Sequence, residues 1–134
     1  MSSAALSRPI RFAGWFATLL SAAWFGVHTF VGGAEVAGPL RTSGIDPAIL
    51  APSWMVWHMV TGLLALMALL FGWATLAARP DPMLAGTGMA LVLSIAGIAA
   101  APIVGVGYDL LPQGFLFVPV VLAGAYAWRG MTQG

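Results

Sequence analysis

The sequence predicts an all-α integral membrane protein in which four transmembrane helices form an up-down-up-down bundle. Of its 134 residues, 60% are hydrophobic and only 7% are charged. An ordinary soluble domain carries about 25% charged residues. Because so few charges cannot cover the surface of a soluble fold, the apolar side chains must face lipid. The charged residues also leave four long charge-free runs, at 12–34, 47–78, 82–108 and 110–128.

Each of these runs is long enough to cross a membrane as a helix, which takes about 20 apolar residues. Segments such as LLALMALLF (63–71) lack the alternation of a membrane β-strand and are rich in helix formers. The first run is too long for the apolar core of a signal peptide, so we expect a retained span. Trimming the runs at glycine and proline predicts one domain over residues 1–134, with spans near 11–32, 53–78, 83–105 and 112–129.

The predicted loops differ strongly in length. The first loop, 33–52, is the only long one, and DPAILAP within it favours a short interfacial helix that starts with Asp46 as cap and Pro47 in the first turn. RPDP (79–82) and LPQG (111–114) are tight turns that place consecutive spans side by side, which is typical of an up-down-up-down bundle.

The arginines predict the orientation of these spans. In the predicted topology, one side of the membrane carries Arg41 and the other side carries Arg8, Arg11, Arg79 and Arg129. Cytoplasmic loops of membrane proteins carry the excess of Lys and Arg. We therefore expect an inner-membrane protein with both termini in the cytoplasm and loop 33–52 on the outer face.

Composition also narrows the function classes. The absence of cysteine excludes disulfides and thiolate metal sites, and a net charge of +1 without a basic cluster does not favour nucleic acid as a partner. Arg11 and Arg129 stand at the ends of predicted spans, and no Asp, Glu, Lys or Arg lies in the interior of one, whereas ion and proton transporters place such residues there. The size is similar to that of small four-span multidrug exporters, but the acidic residue that those proteins carry in the first span is missing. No nucleotide-binding or hydrolase motif of diagnostic spacing indicates an enzyme.

The two histidines mark the candidate site. His28 lies about six residues inside the outer end of the first run, and His58 lies five residues after the predicted start of the second span, so both sit roughly 8–9 Å below the outer face. Trp24 shares a helix face with His28, and Thr61 shares one with His58. The pattern H28-x3-G32-G33-x-E35 with W57-H58-x2-T61 is similar to that of small bacterial inner-membrane proteins, a resemblance that implies no function.

Three interpretations of this site stay open. In the first, His28 and His58 are structural and donate hydrogen bonds that fix the helices. In the second, the two imidazoles are axial ligands of a b-type haem in an electron-transfer protein. In the third, His28 and His58 bind a metal ion together with Glu35 or Asp109.

A series of small residues in the third span predicts a close helix-packing surface. Gly86, Ala90, Ser94 and Gly97 lie near one face, as in small-xxx-small motifs. A second copy or a larger membrane complex would pack there, unless the bundle itself covers the face. The sequence therefore predicts a small accessory, structural or ligand-binding membrane subunit, which is not expected to be an enzyme.

Overall fold

Residues 6–133 are described by a computed structural model, and 88% of them are helical, with no strand among these residues. The elements in chain order are α1 (Arg8–Gly26), a π-helical segment (Val27–Ala37), α2 (Gly38–Thr42), α3 (Pro47–Ala77), α4 (Pro80–Val104), a 3₁₀ segment (Gln113–Phe117) and α5 (Val118–Gln133).

Four continuous helical stretches are long and apolar enough to cross a membrane, which confirms the predicted number of spans. They are Arg8–Thr42, Pro47–Ala77, Pro80–Val104 and Gln113–Gln133. The first stretch is 35 residues long because α1, the π-helical segment and α2 follow one another without a break.

The prediction of a loop over 33–52 is wrong for most of these residues, since only residues 43–46 lie outside a helix. On its first side, the helix continues through Gly32 and Gly33 to Thr42. On its second side, the Asp46 carboxylate accepts a hydrogen bond from the Ala48 amide at 2.8 Å and starts α3. The helix that was expected to be a short separate one therefore runs directly into the second span.

The bundle is a closed ring of helices around one core. α1 packs against α3 and α5, and α4 packs against the same two helices. Phe71 of α3, fully buried, lies in the centre of this core. It fits because it faces glycines: a Cβ at Gly86 or at Gly124 would come within 3.0 Å of the Phe71 ring.

The small-residue face of α4 is covered within the chain. Ala90 is fully buried, and Ser94 is buried and donates its hydroxyl to the Gly114 carbonyl at 2.9 Å. A Cβ at Gly97 would lie 2.6 Å from the Gly114 Cα, so two backbones meet here without side chains between them. The bundle itself therefore covers this face, so the face is not available to a second copy or another subunit. An oligomer or a larger complex stays a prediction, and it would have to use another surface.

Pro102 opens the ladder of α4 near its end. Proline has no backbone N–H, so it leaves the carbonyl four residues earlier without its helical donor. That carbonyl belongs to Ile98, and the Tyr108 hydroxyl donates a hydrogen bond to it at 3.1 Å. The loop after α4 is therefore tied back onto the helix by a side chain.

Candidate functional site

The site lies where the first span changes from α-helical to π-helical geometry. The π-helical segment covers eleven residues, and at its end the Gly38 amide bonds the carbonyl of Gly33, five residues earlier. π-Helical turns are rare, are mostly single turns and occur frequently at functional sites. An eleven-residue segment widens the helix over the whole region that carries His28.

His28 is half-buried and packs on Trp57, about three turns into α3. The two rings stack with centroids 4.0 Å apart and 17° between their planes. The His28 Nε2 also lies 3.3 Å from the Trp57 carbonyl oxygen. Because a carbonyl oxygen can only accept, this contact requires the proton on Nε2. His28 therefore joins the first span to the second by stacking and by hydrogen bonding.

Gly32 makes room for this contact. A Cβ at Gly32 would come within 2.9 Å of the Trp57 ring, whereas a Cβ at Gly33 would meet nothing within 4 Å. The first glycine is needed for packing, and the second leaves open space beside the helix. The glycine pair thus separates a packed side of the segment from an open one.

His58 lies on the open side and has different neighbours. It is exposed, and its ring meets the edge of Trp54 with centroids 4.7 Å apart and 78° between the planes. The guanidinium carbon of Arg41 lies 6.0 Å from the centre of the Trp54 ring. A cation over an indole face is attracted by the ring quadrupole. Trp54 therefore supports both His58 and the only arginine of this region.

An open groove of about 370 Å³ lies between the first span, from Thr29 to Arg41, and the beginning of α3. Its polar side chains are Thr29, Arg41, His58 and Thr61, and its remaining walls are Trp54, Trp57 and the small residues Gly33, Ala37 and Gly38. Small-molecule sites have this character: mostly apolar and aromatic walls with a few polar groups that fix orientation.

The polar groups of the groove differ in what they can offer to a ligand. Thr29 donates its hydroxyl to the Phe25 carbonyl at 2.7 Å, and Thr61 donates to the Trp57 carbonyl at 3.0 Å. Both hydroxyls therefore present lone pairs to the groove. The lining side chains that carry N–H groups are those of Arg41, His58, Trp54 and Trp57, and Arg41 is the only permanently charged residue among them.

The two predicted haem ligands have different neighbours in the structure. His58 lines the groove, but His28 does not. A bis-histidine haem needs one nitrogen of each imidazole directed at a common iron. Here the His28 Nε2 is directed at the Trp57 carbonyl, and a ring face of His28 is covered by the Trp57 indole. The haem hypothesis stays a prediction, with geometry that does not favour it.

The predicted metal ligands are not assembled either. Within residues 6–133 no three His, Asp or Glu side chains lie close enough together to hold a metal ion. Glu35 is exposed on the π-helical segment, and Asp109 is exposed in the loop that follows α4. Among the described residues, no three of His28, His58, Glu35 and Asp109 therefore come together as metal ligands.

Sequence reasoning missed Arg41 and Thr29 as members of the site. Arg41 was placed in a loop, and its helical position depends on the π-helical segment, which no residue pattern predicted. One feature of the sequence did indicate irregular helix geometry: the pairs G32-G33 and G38-P39 lie within two helical turns of each other. Glycine is permissive in backbone conformation and proline lacks an amide donor, so both disfavour a regular α-helix.

Comparison of the chain with protein-family models, with curated proteins and with solved structures found no match.

Proposed function

We propose that this chain is a ligand-binding subunit of the inner membrane and that the groove between Thr29–Arg41 and the start of α3 is its binding site. The observation that carries the proposal is that an extended π-helical segment forms one wall of an open groove whose lining includes hydrogen-bond donors. Packing alone does not need this groove, because His28, the side chain that packs on Trp57, lies outside its lining.

We also propose an up-down-up-down order of the spans with both termini in the cytoplasm. Two contacts along the first span support antiparallel packing of the first two spans: Gly14 lies beside Thr75, and Gly32 lies beside Trp57. The arginine distribution supports the cytoplasmic side. In this orientation the groove opens near the outer membrane face, where the indole of Trp54 suits the interface between lipid and water.

The test fills the groove without disturbing the packed side. Gly33→Phe places a ring in the space beside Gly33, which is open. Gly88→Phe is the matched control, because a Cβ at Gly88 also meets nothing within 4 Å and Gly88 lies outside the groove on α4. Both variants and the unaltered chain are purified in detergent, and small molecules released on denaturation are measured by mass spectrometry.

We expect a molecule that stays with the unaltered chain and with Gly88→Phe and that is lost from Gly33→Phe. Equal retention by all three proteins would contradict the groove as the site. A chain that releases no molecule in amounts comparable with the protein would contradict the proposed function itself.

A further inference from the structure

A second, apolar groove runs along the same pair of helices. It has a volume of about 650 Å³ and lies between α1 and α3. Small residues form its floor, among them Ala22, Ala65, Ala68 and Gly72. The one hydroxyl in its lining, that of Thr18, is directed to the Gly14 carbonyl of its own helix at 2.8 Å. No hydroxyl in this groove is therefore free to donate to a ligand, and its N–H donors are the indoles of Trp15 and Trp73.

The polar and apolar grooves follow one another along one stripe of each helix. On α3 the stripe passes from His58 and Thr61 in the polar groove to Ala65, Ala68 and Gly72 in the apolar one, in steps of three and four residues. Such steps keep side chains on one helix face. Thr61 in the polar groove and Ala65 in the apolar groove are thus four residues, or about 6 Å, apart along α3.

The first span shows the same order. Thr29 lines the polar groove, and Phe25, Ala22 and Thr18 line the apolar one, again in steps of three and four residues. From Ala65 to Leu76 the apolar groove extends along α3 for about 16 Å. A molecule that fills both grooves would have a compact polar end and a long apolar end.

The charge of the polar groove selects the polar end of that molecule. The Arg41 guanidinium is the only permanent charge in the lining and already lies over the Trp54 ring. A guanidinium matches the geometry of a phosphate oxygen pair, and a weakly hydrated Arg suits such contacts at an interface. His58 supplies a further ring nitrogen within the same groove.

Resting on the proposed function of the groove, we infer that the seam between the first two spans binds an anionic phospholipid, with its phosphodiester headgroup at Arg41 and an acyl chain that enters the apolar groove at Ala65. In this arrangement the headgroup lies at the membrane interface, and the acyl chain runs from it along α3 into the hydrocarbon layer. Two observations carry this assignment: the positive charge of Arg41 in the polar groove matches an anionic headgroup, and the apolar groove follows directly along the same helix faces.

The test uses tryptophan fluorescence, since the lining of the two grooves contains Trp15, Trp54, Trp57 and Trp73. The purified full chain in mixed micelles is titrated with phosphatidylglycerol or with phosphatidylcholine, each carrying brominated acyl chains that quench nearby indoles. We expect half-quenching by phosphatidylglycerol at about a fivefold lower lipid fraction, the preference that one basic residue near an anionic surface gives.

Three variants assign the preference to the proposed contacts. Arg41→Gln should abolish the preference, whereas Arg129→Gln, an equal loss of charge on exposed α5 surface, should retain it. Ala68→Phe should fill the apolar groove and weaken quenching by both lipids several-fold. Because Arg41 is exposed, its loss leaves the fold intact.

Each alternative outcome overturns the inference. Equal quenching by the two lipids, or a preference that survives in Arg41→Gln, would contradict the binding of an anionic headgroup at Arg41. Displacement of the lipid by glycerol phosphate alone would assign the site to a free phosphate ester. If Gly33→Phe still loses its retained molecule while no lipid preference is found, the groove binds a different ligand, and the proposed function stands without this inference.

Discussion

The His28 imidazole and the Trp57 indole form the contact that joins the first span to the second beside the groove. Their ring centroids are 4.0 Å apart, and the His28 Nε2 lies 3.3 Å from the Trp57 carbonyl oxygen. The same carbonyl accepts the Thr61 hydroxyl at 3.0 Å. The backbone oxygen of Trp57 thus accepts from two side chains, and the indole of the same residue is covered by the His28 imidazole.

The first prediction concerns the stability that this contact supplies. His28→Ala removes both a hydrogen bond and an aromatic pair, so we expect the free energy of unfolding to fall by about 1–2 kcal/mol. His58→Ala is the matched control, because His58 is exposed and makes only the edge contact with Trp54. Unfolding in mixed micelles with increasing SDS measures both variants. A larger loss in His58→Ala would contradict the structural role of His28.

The second prediction compares the two adjacent glycines of the π-helical segment. Gly32→Ala places a methyl group within 2.9 Å of the Trp57 ring and should displace it, at a cost of about 1–3 kcal/mol for overpacking. Gly33→Ala has open space and should be neutral or slightly stabilising. The near-ultraviolet circular dichroism of the indoles should change in the first variant only. Equal spectra and equal stabilities would show that Trp57 is not packed on Gly32.

The third prediction tests whether Tyr108 replaces the donor that Pro102 lacks. Tyr108→Phe leaves the Ile98 carbonyl without its hydrogen bond, and we expect a loss of about 0.5–1 kcal/mol of stability. In a Pro102→Ala background, the new amide at position 102 can donate to the same carbonyl, so the same Tyr108→Phe change should cost less. The double-mutant cycle measures the difference. An identical cost in both backgrounds would mean that the hydroxyl acts elsewhere.

The fourth prediction is a gain of stability at the end of α3. Ala78 has φ 52° and ψ 43°, the left-handed conformation that disfavours a residue with a Cβ. Ala78→Gly should therefore stabilise the chain by about 0.5–1 kcal/mol. Ala77→Gly, one residue earlier and inside the helix, should destabilise it by a similar amount. Thermal unfolding measures both, and equal signs would contradict the left-handed cap.

The fifth prediction concerns haem. Because His28 and His58 have separate partners, Trp57 and Trp54, we expect chain made with ample haem to show no Soret band that depends on both histidines. The measurement is a visible spectrum of the purified protein, air-oxidised and then reduced with dithionite. Sharp α and β bands that are lost in His28→Ala and in His58→Ala would instead establish a bis-histidine haem and require the first span to rearrange.

The candidate site was only partly predictable from the sequence. His58 and Thr61 could be placed on one helix face because the 3.6-residue period of α3 is regular from Pro47 onward. Arg41 could not be placed, since a π-helical turn shifts every following residue around the helix. The partner of His28 was not predictable either, because it is a backbone carbonyl and an indole on another helix, and neither leaves a pattern in the order of residues.

What the sequence determined by itself is the solvent and the number of spans: a chain with 7% charged residues and four long charge-free runs must expose helices to lipid. The tertiary structure decided which faces meet. Phe71 could be covered only where Gly86 and Gly124 leave space, so α4 turned its small-residue face inward. Beside Gly33 no side chain fills the space, so a groove remains there. Which helix faces meet depends on how well side chains fit the available space, and that fit exists only once the helices are packed.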